Sequence, residues 1–234
     1  IKTGPQYYIG DVSLVTKSKI IDSIFNNDIE KSFLKKNGVF ETLNFQKERD
    51  RINSLMKNNG IYNFQINSIF FDVEIDSTRE VYSLPVKIIV EGDDYRKHSI
   101  KEINFINVKN GEEYKEKSFL TNQIELKENE PFNDSLRSKT IQNLNNLDLF
   151  SFPSIGYEYL SESDKELSAN IFLNPKKKYG LGFGFDIKQS DIEDIGISFE
   201  NRFKSRNIFK NGENLELSAV GSIGKSNDVT ISQV

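Results

Sequence analysis

The sequence contains no cysteine and a single histidine in 234 residues. The first absence excludes disulfides and cysteine-ligated metals, and the second leaves almost no imidazole chemistry, so the chain reads as metal-free and without a cofactor. No apolar run approaches the roughly 18 to 20 residues that a membrane helix needs, which excludes helical spanning. Charge of one sign is also lacking. Lys+Arg of 31 against Asp+Glu of 35 leaves a formal charge of -4, too balanced to argue for a nucleic-acid partner or for phosphate binding. Ile1-Lys-Thr-Gly-Pro5 has no charged start followed by an apolar stretch, so it is not a signal peptide. With no Met at position 1, the expectation is an internal fragment or a processed product.

What is present is 36% hydrophobic content, enough for the cores of one large or two ordinary domains. One stretch stands apart. In Tyr179-Gly-Leu-Gly-Phe-Gly-Phe-Asp-Ile187 the odd positions are Tyr179, Leu181, Phe183, Phe185 and Ile187, and the even ones Gly180, Gly182, Gly184 and Asp186. Successive strand side chains point to opposite faces, so one face is aromatic and aliphatic and the other nearly bare. Glycine weakens a strand unless the backbone must bend or something must pass close. A membrane barrel supplies such a reason, with apolar side chains toward lipid and small or polar ones toward the lumen.

In chain order, β-formers from Tyr7 to Lys17 predict a strand, with a bulge at Gly10-Asp11. Ile20, Ile21, Ile24 and Phe25 then predict a short helix. A second helix is expected from Asn44, as N-cap, to Asn58, ended by Asn59-Gly60. Ile61–Ile75 and Val81–Glu91 predict a hairpin around Asp76-Ser-Thr78. The order then returns: a strand over Ile100–Val108, a polar connector over Gly111–Phe119, and a helix starting at Asn133-Asp-Ser135 with Leu136, Ile141, Leu144 and Leu147 near one face. A hairpin of Phe150–Leu160 and Leu167–Leu173 follows, across Ser161–Lys165. Beyond Lys176-Lys-Lys178 and the alternating stretch, Ile195, Ile197, Phe199 and Phe203 alternate with Gly196, Ser198, Glu200 and Arg202. Leu215, Leu217, Ala219 and Ile223 do the same with Glu216, Ser218 and Ser222. Each segment has about the 9 to 11 residues that a tilted membrane strand needs, and a partial fourth is expected at Val229–Val234.

The two repeats resemble the polypeptide-transport-associated (POTRA) domain. The likeness rests on Leu34-Lys-Lys-Asn-Gly38, Arg51-Ile-Asn-Ser-Leu55, Asn59-Gly-Ile-Tyr62 and Val86-Lys-Ile-Ile-Val-Glu-Gly92. In the second copy it rests on Glu130-Pro-Phe132, Thr140–Leu147, Leu149-Phe150 and Ile171–Pro175. Gly180-Leu-Gly182, Gly196-Ile-Ser198, Ser205–Phe209 and Gly212-Glu-Asn-Leu215 look like the start of the barrel in the BamA/TamA superfamily of outer-membrane assembly proteins. The expected fold is therefore α+β: tandem strand-helix-helix-strand-strand modules over 1–94 and 95–177, then the first antiparallel strands of an incomplete membrane β-barrel over 178–234.

Other readings of the same residues are weaker. Gly180-x-Gly182-x-Gly184 is followed by another strand and not by the helix a dinucleotide loop requires. Gly221-Ser-Ile-Gly224 lacks the order of a nucleophile elbow. His98 reads as a solvated linker residue, and Asp191, Glu193 and Asp194 as solvation of a turn. Lys176–Lys178 is either a lipid-headgroup contact or a solvated strand end.

The resemblance implies a non-enzymatic assembly or translocation factor in the outer membrane of a Gram-negative bacterium, with 1–177 in the periplasm. Its partners would be unfolded outer-membrane or surface-exported proteins, accessory envelope lipoproteins or scaffold proteins, and outer-membrane lipid. Clients would add as strands at the hairpin strand farthest from the first strand, at Phe64, Ile66, Ser68 and Phe70 and at Pro153, Ile155, Tyr157 and Tyr159. Tyr179, Gly180, Leu181, Gly182, Phe183, Gly184 and Phe185 would form the seam where the barrel opens. A secretion pore for one dedicated partner, or a soluble cell-envelope scaffold, are the alternatives.

Overall fold

The computed structural model describes residues 6–74, 82–115, 117–160, 165–188 and 195–225. The turns expected at 76–78 and 161–164, the 189–194 connector with its three carboxylates, and the strand expected at 229–234 lie outside them. The chain divides into two compact units, residues 1–103 with 126–138 and 157–169, and residues 104–125 and 139–156 with 170–234.

The first unit opens with β1 (Tyr8–Thr16), α1 (Lys19–Asn26), α2 (Thr42–Asn58), β2 (Ile69–Val73) and β3 (Ser83–Val90). They form a three-stranded sheet in the order β1-β3-β2. β3 is parallel to β1 and antiparallel to β2. As the central strand, β3 buries every second residue, Leu84, Val86, Ile88 and Val90. The bulge falls where expected. The β1 register shifts between Ile9 and Val12, and a Cβ on Gly10 would lie 3.0 Å from the Leu84 carbonyl carbon, so only glycine lets the two backbones approach so closely.

Ser18 caps α1, its Oγ accepting from Ile21 N, and the helix buries Ile21, Ile24 and Phe25. Helix α2 starts three residues before the expected site, with Glu41 and not Asn44 in the N-cap position. Glu41 makes no side-chain cap there; Asn44 N instead donates to Glu41 O. Gly60, with φ 94°, turns the chain out of the helix as predicted. The expected strand over 61–75 is much shorter. Ile61 and Phe64 are buried in the core, Ile66–Ser68 is a 3-10 turn, and pairing begins only at Ile69. β-Propensity reported apolar content there, and tertiary burial used it differently.

Along α2 the buried residues are Glu48, Ile52 and Met56, a stripe at four-residue spacing. Glu48 is a carboxylate in an apolar row, so its partners decide its cost. Phe33 N donates to Glu48 Oε2 at 2.8 Å, Arg51 Nη2 donates to Oε1 at 2.7 Å, and Arg51 Nη1 also reaches Asp28 Oδ2 at 2.8 Å.

The second sheet has the order β4-β6-β5, from β4 (Ser99–Asn107), β5 (Ser154–Tyr159) and β6 (Glu166–Leu173); each of these strands has residues in both units. Helix α3 (Asp134–Asn146) begins where predicted, with Asn133 Oδ1 accepting from Ser135 N at 2.9 Å. Among the described residues α3 is the one α-helix between β4 and β5; a 3-10 turn at Leu120–Asn122 precedes it. Between Val108 and Phe119 only Tyr114 is apolar, too little to give a helix a buried stripe. Pro153, expected on the edge strand, precedes β5 and is buried.

The third sheet is an antiparallel meander, β7 (Tyr179–Lys188), β8 (Ile195–Arg206) and β9 (Asn214–Lys225), in that order. Among the described residues no helix is long and apolar enough to cross a membrane.

Glu48→Ala would leave the Arg51 guanidinium and the Phe33 amide without their shared acceptor. The loss expected on breaking a buried pair from one side is about 3 to 5 kcal/mol. Urea unfolding followed through Tyr95, which packs against this core, checks it; a change under about 1 kcal/mol would contradict the assignment.

Candidate functional site

The β7–β9 sheet separates its two faces almost completely. Leu181 pairs with Phe203 and Phe203 with Leu217; Phe185 pairs with Phe199 and Ile187 with Ile197, which pairs with Ile223. Paired residues share a face, so these side chains form one apolar surface, together with Tyr179 and Phe183. That surface is bare: Phe183 is 82% exposed, and Leu181, Phe185, Leu217 and Ile223 are exposed as well. Contiguous apolar area of this kind marks an interaction or membrane surface.

The other face is ionic. Gly180, Gly182 and Gly184 lie opposite Lys204, Arg202 and Glu200. Arg202 Nη2 binds Glu200 Oε1 at 2.7 Å, Arg202 Nε reaches Glu216 Oε1 at 3.3 Å, and Lys204 Nζ reaches Glu216 Oε2 at 3.5 Å. A Cβ at Gly184 would stand 3.2 Å from Glu200 Cβ, and one at Gly182 would stand 3.6 Å from Arg202 Cβ. The glycines leave room for long charged side chains to lie over the strand.

Among the described residues β2 and β5 end their sheet orders, each with one strand neighbour. Phe70 is 45% exposed on β2, whereas Phe64, Ile66 and Ser68 precede the strand and present no edge. On β5, Ile155 is buried and Tyr159 is 51% exposed.

Tyr157 is engaged in a cluster that sequence reasoning missed. Tyr62 sits 5.2 Å from Phe132, 5.5 Å from Tyr157, 5.8 Å from His98 and 5.9 Å from Tyr159, centroid to centroid. His98 is therefore no solvated linker residue: it is 3% exposed. Its N–H donates to Gly60 O at 2.8 Å, and Phe132 N donates to its carbonyl at 2.8 Å. Burial also pushes the Tyr157 phenol upward. The signal available was the Tyr and Phe content around a lone polar residue, which periodicity does not read. Asn58 adds to the same contact, its carbonyl accepting from Asn133 Nδ2 at 3.1 Å and its Oδ1 from Ser135 N at 2.9 Å.

A second missed residue is Asp148, in the turn after α3. Its carboxylate takes Lys176 Nζ on Oδ1, and Lys204 Nζ at 2.5 Å and Arg206 Nε at 3.3 Å on Oδ2. Its backbone carbonyl accepts from Arg206 Nε at 3.0 Å. The Lys176 and Lys204 hydrogen bonds hold its carboxyl well below the usual carboxylate range. Nearby, Asn214 Nδ2 donates to Leu147 O at 2.7 Å.

No family model matches the sequence, and no curated protein matches it. Solved structures do. The order of strands and helices in the first module, and its variant in the second, is that of POTRA-like modules. BamA from Haemophilus ducreyi lacking POTRA domains 1-3 is similar at a TM-score of 0.63 and 14% identity, over 93% of this chain and 37% of that one. The chain thus spans about a third of that structure's length. BamA POTRA3-5 from Haemophilus influenzae gives 0.48 at 14% identity, covering 73% and 62% of the two chains. CdiB from Acinetobacter baumannii gives 0.49 at 11%, covering 96% and 40%. At these identities the likeness is one of fold.

A carboxyl whose folded pKa is depressed stabilises above its unfolded value, near 4, and loses that contribution as pH falls toward the folded value. Asp148→Asn should therefore speed amide exchange at Lys176 and Arg206 near neutral pH by an amount equivalent to about 1 kcal/mol, as fits a partly exposed cluster. The difference between the variant and the parent chain should shrink steadily as pH falls below about 4; a difference independent of pH would contradict the assignment.

Proposed function

We propose that the chain is part of a factor that assembles or translocates proteins at the outer membrane of a Gram-negative bacterium. Residues 1–94 and 95–177 would be periplasmic POTRA-like modules and 178–234 the first strands of a membrane β-barrel, with no enzymatic step. The observation that carries the reading is the bare apolar face of β7–β9 backed by an ionic face. Water opposes the first and lipid opposes the second, so a boundary between lipid and an aqueous lumen suits the pair. The alignment with the Haemophilus ducreyi BamA structure, over 93% of the chain, is longer than the two modules and so takes in part of this sheet.

The mechanism follows from backbone edges. An extended client can add beside β2 or β5, since among the described residues each has a strand on one side only. Main-chain hydrogen bonds read no sequence and so serve many clients. Phe70 and Tyr159 are the exposed large side chains on those edges. β7 also ends its sheet, which suits a strand that exchanges partners at the seam.

The chain has no cysteine, so single cysteines report cleanly. Phe70→Cys and Tyr159→Cys in the membrane-embedded parent should crosslink unfolded outer-membrane proteins during their insertion, and Phe64→Cys should not. Equal crosslinking at all three positions would count against edge addition. Gly182→Val with Gly184→Val should impair client insertion while the modules stay folded by circular dichroism. Val at Gly184 must displace Glu200, whose Cβ would lie 3.2 Å away. Unaltered insertion in that double variant would sink the seam assignment.

A further inference from the structure

The segment before β7 and the turn after β8 meet at one end of the third sheet, where Tyr179 pairs with Ser205 and Arg206 with Asn214. A cavity of about 180 Å3 opens there, and Tyr114, Leu149, Lys176, Lys178, Arg206 and Lys210 are in its lining. Main-chain bonds fix its walls. Arg206 N donates to Lys178 O at 2.8 Å and Lys176 N to Leu149 O at 2.9 Å. Arg206 Nη1 donates to Lys177 O at 3.2 Å.

The composition of the whole chain is balanced, but this corner is not. Asp148 is shared by Lys176, Lys204 and Arg206. Glu213, in the turn, accepts from Asn211 N at 3.2 Å. Among the described residues Lys178 and Lys210 have no ion-pair partner; Lys178 lies over the Tyr179 ring at 5.7 Å. Positive charge therefore exceeds negative around a space of on the order of six water volumes. That suits one compact anion and no macromolecule. Phe209, 74% exposed, adjoins Lys210, and aromatic residues beside lysines are common where strands leave a bilayer.

We propose that this cavity binds a phosphate-type oxyanion, held by Lys178 and Lys210 against a fixed wall of Lys176 and Arg206. Under the membrane reading of β7–β9, on which the choice of source rests, this end of the sheet meets the headgroup layer and the anion is a lipid phosphate. Free phosphate is the other source of the same chemistry.

Both sources are tested with the full chain. Co-sedimentation with phosphatidylcholine vesicles, with and without phosphatidylglycerol, forms one arm. Amide shifts of Lys178, Arg206 and Lys210 on titration with inorganic phosphate form the other. Lys178→Gln/Lys210→Gln should weaken binding to phosphatidylglycerol vesicles roughly thirtyfold, the effect of two lysines at an anionic surface, and leave phosphatidylcholine binding unchanged. Lys19→Gln/Lys139→Gln, the same charge change elsewhere, should bind as the parent chain does. Phosphate shifts abolished by the cavity variant, with no preference for phosphatidylglycerol, would support the site and assign free phosphate as its source. Equal losses in the two double variants, or no effect of the cavity variant in either arm, would overturn the proposal. Absence of any vesicle binding would remove the membrane reading, and the phosphate titration would still decide the site.

Discussion

A sheet of three strands has two faces, and in β7–β9 the sequence makes one largely apolar and the other largely polar or charged. Aromatic and aliphatic side chains alternate with glycine, polar or charged residues along most of each strand, and the pairing register gathers most of the apolar ones on one face, with Asn201 and Gly221 among them and Val220 on the other. Folding in water normally resolves such a pattern by laying the apolar face on a core. Here that face stays exposed, while the first module completes a core of its own from Ile52, Met56, Phe64 and Val86. The glycines complete the arrangement. By leaving no side chain opposite Lys204, Arg202 and Glu200, they let the charged groups pair with one another instead of projecting outward.

Two polar devices give the rest of the chain its definition. In the first unit His98, Tyr62 and Phe132 interlock where one repeat gives way to the next, and backbone bonds from Gly60 to His98 and from His98 to Phe132 run through the same point. In the second unit Asp148 draws Lys176, Lys204 and Arg206 to one carboxylate. The partly exposed Asp148 cluster is a modest stabiliser by surface-ion-pair standards.

Periodicity made most of the elements legible. The short helix at Ile20–Phe25, the bulge at Gly10, the Asn133 cap and all three terminal strands follow from local pattern, because each is set by neighbours in sequence. Where the reading failed, burial from afar had decided. Residues 61–68 have strand composition, yet Ile61 and Phe64 fill the core and only Ile69–Val73 pairs. His98 and Asp148 gained their roles from Tyr62 and from Lys204, residues 36 and 56 positions away, which no local window contains. The glycine stretch was legible by its period of two alone, and β7 forms there.

The central claim is that one face of β7–β9 meets lipid and the other meets water. The most direct measurement places single fluorescent labels at Leu181→Cys and Phe183→Cys on one face, and at Glu200→Cys and Ser218→Cys on the other, in vesicle-embedded protein. Brominated lipid should quench the first pair and aqueous iodide the second. Iodide quenching of all four labels alike would contradict the account, because the apolar face would then lie in water.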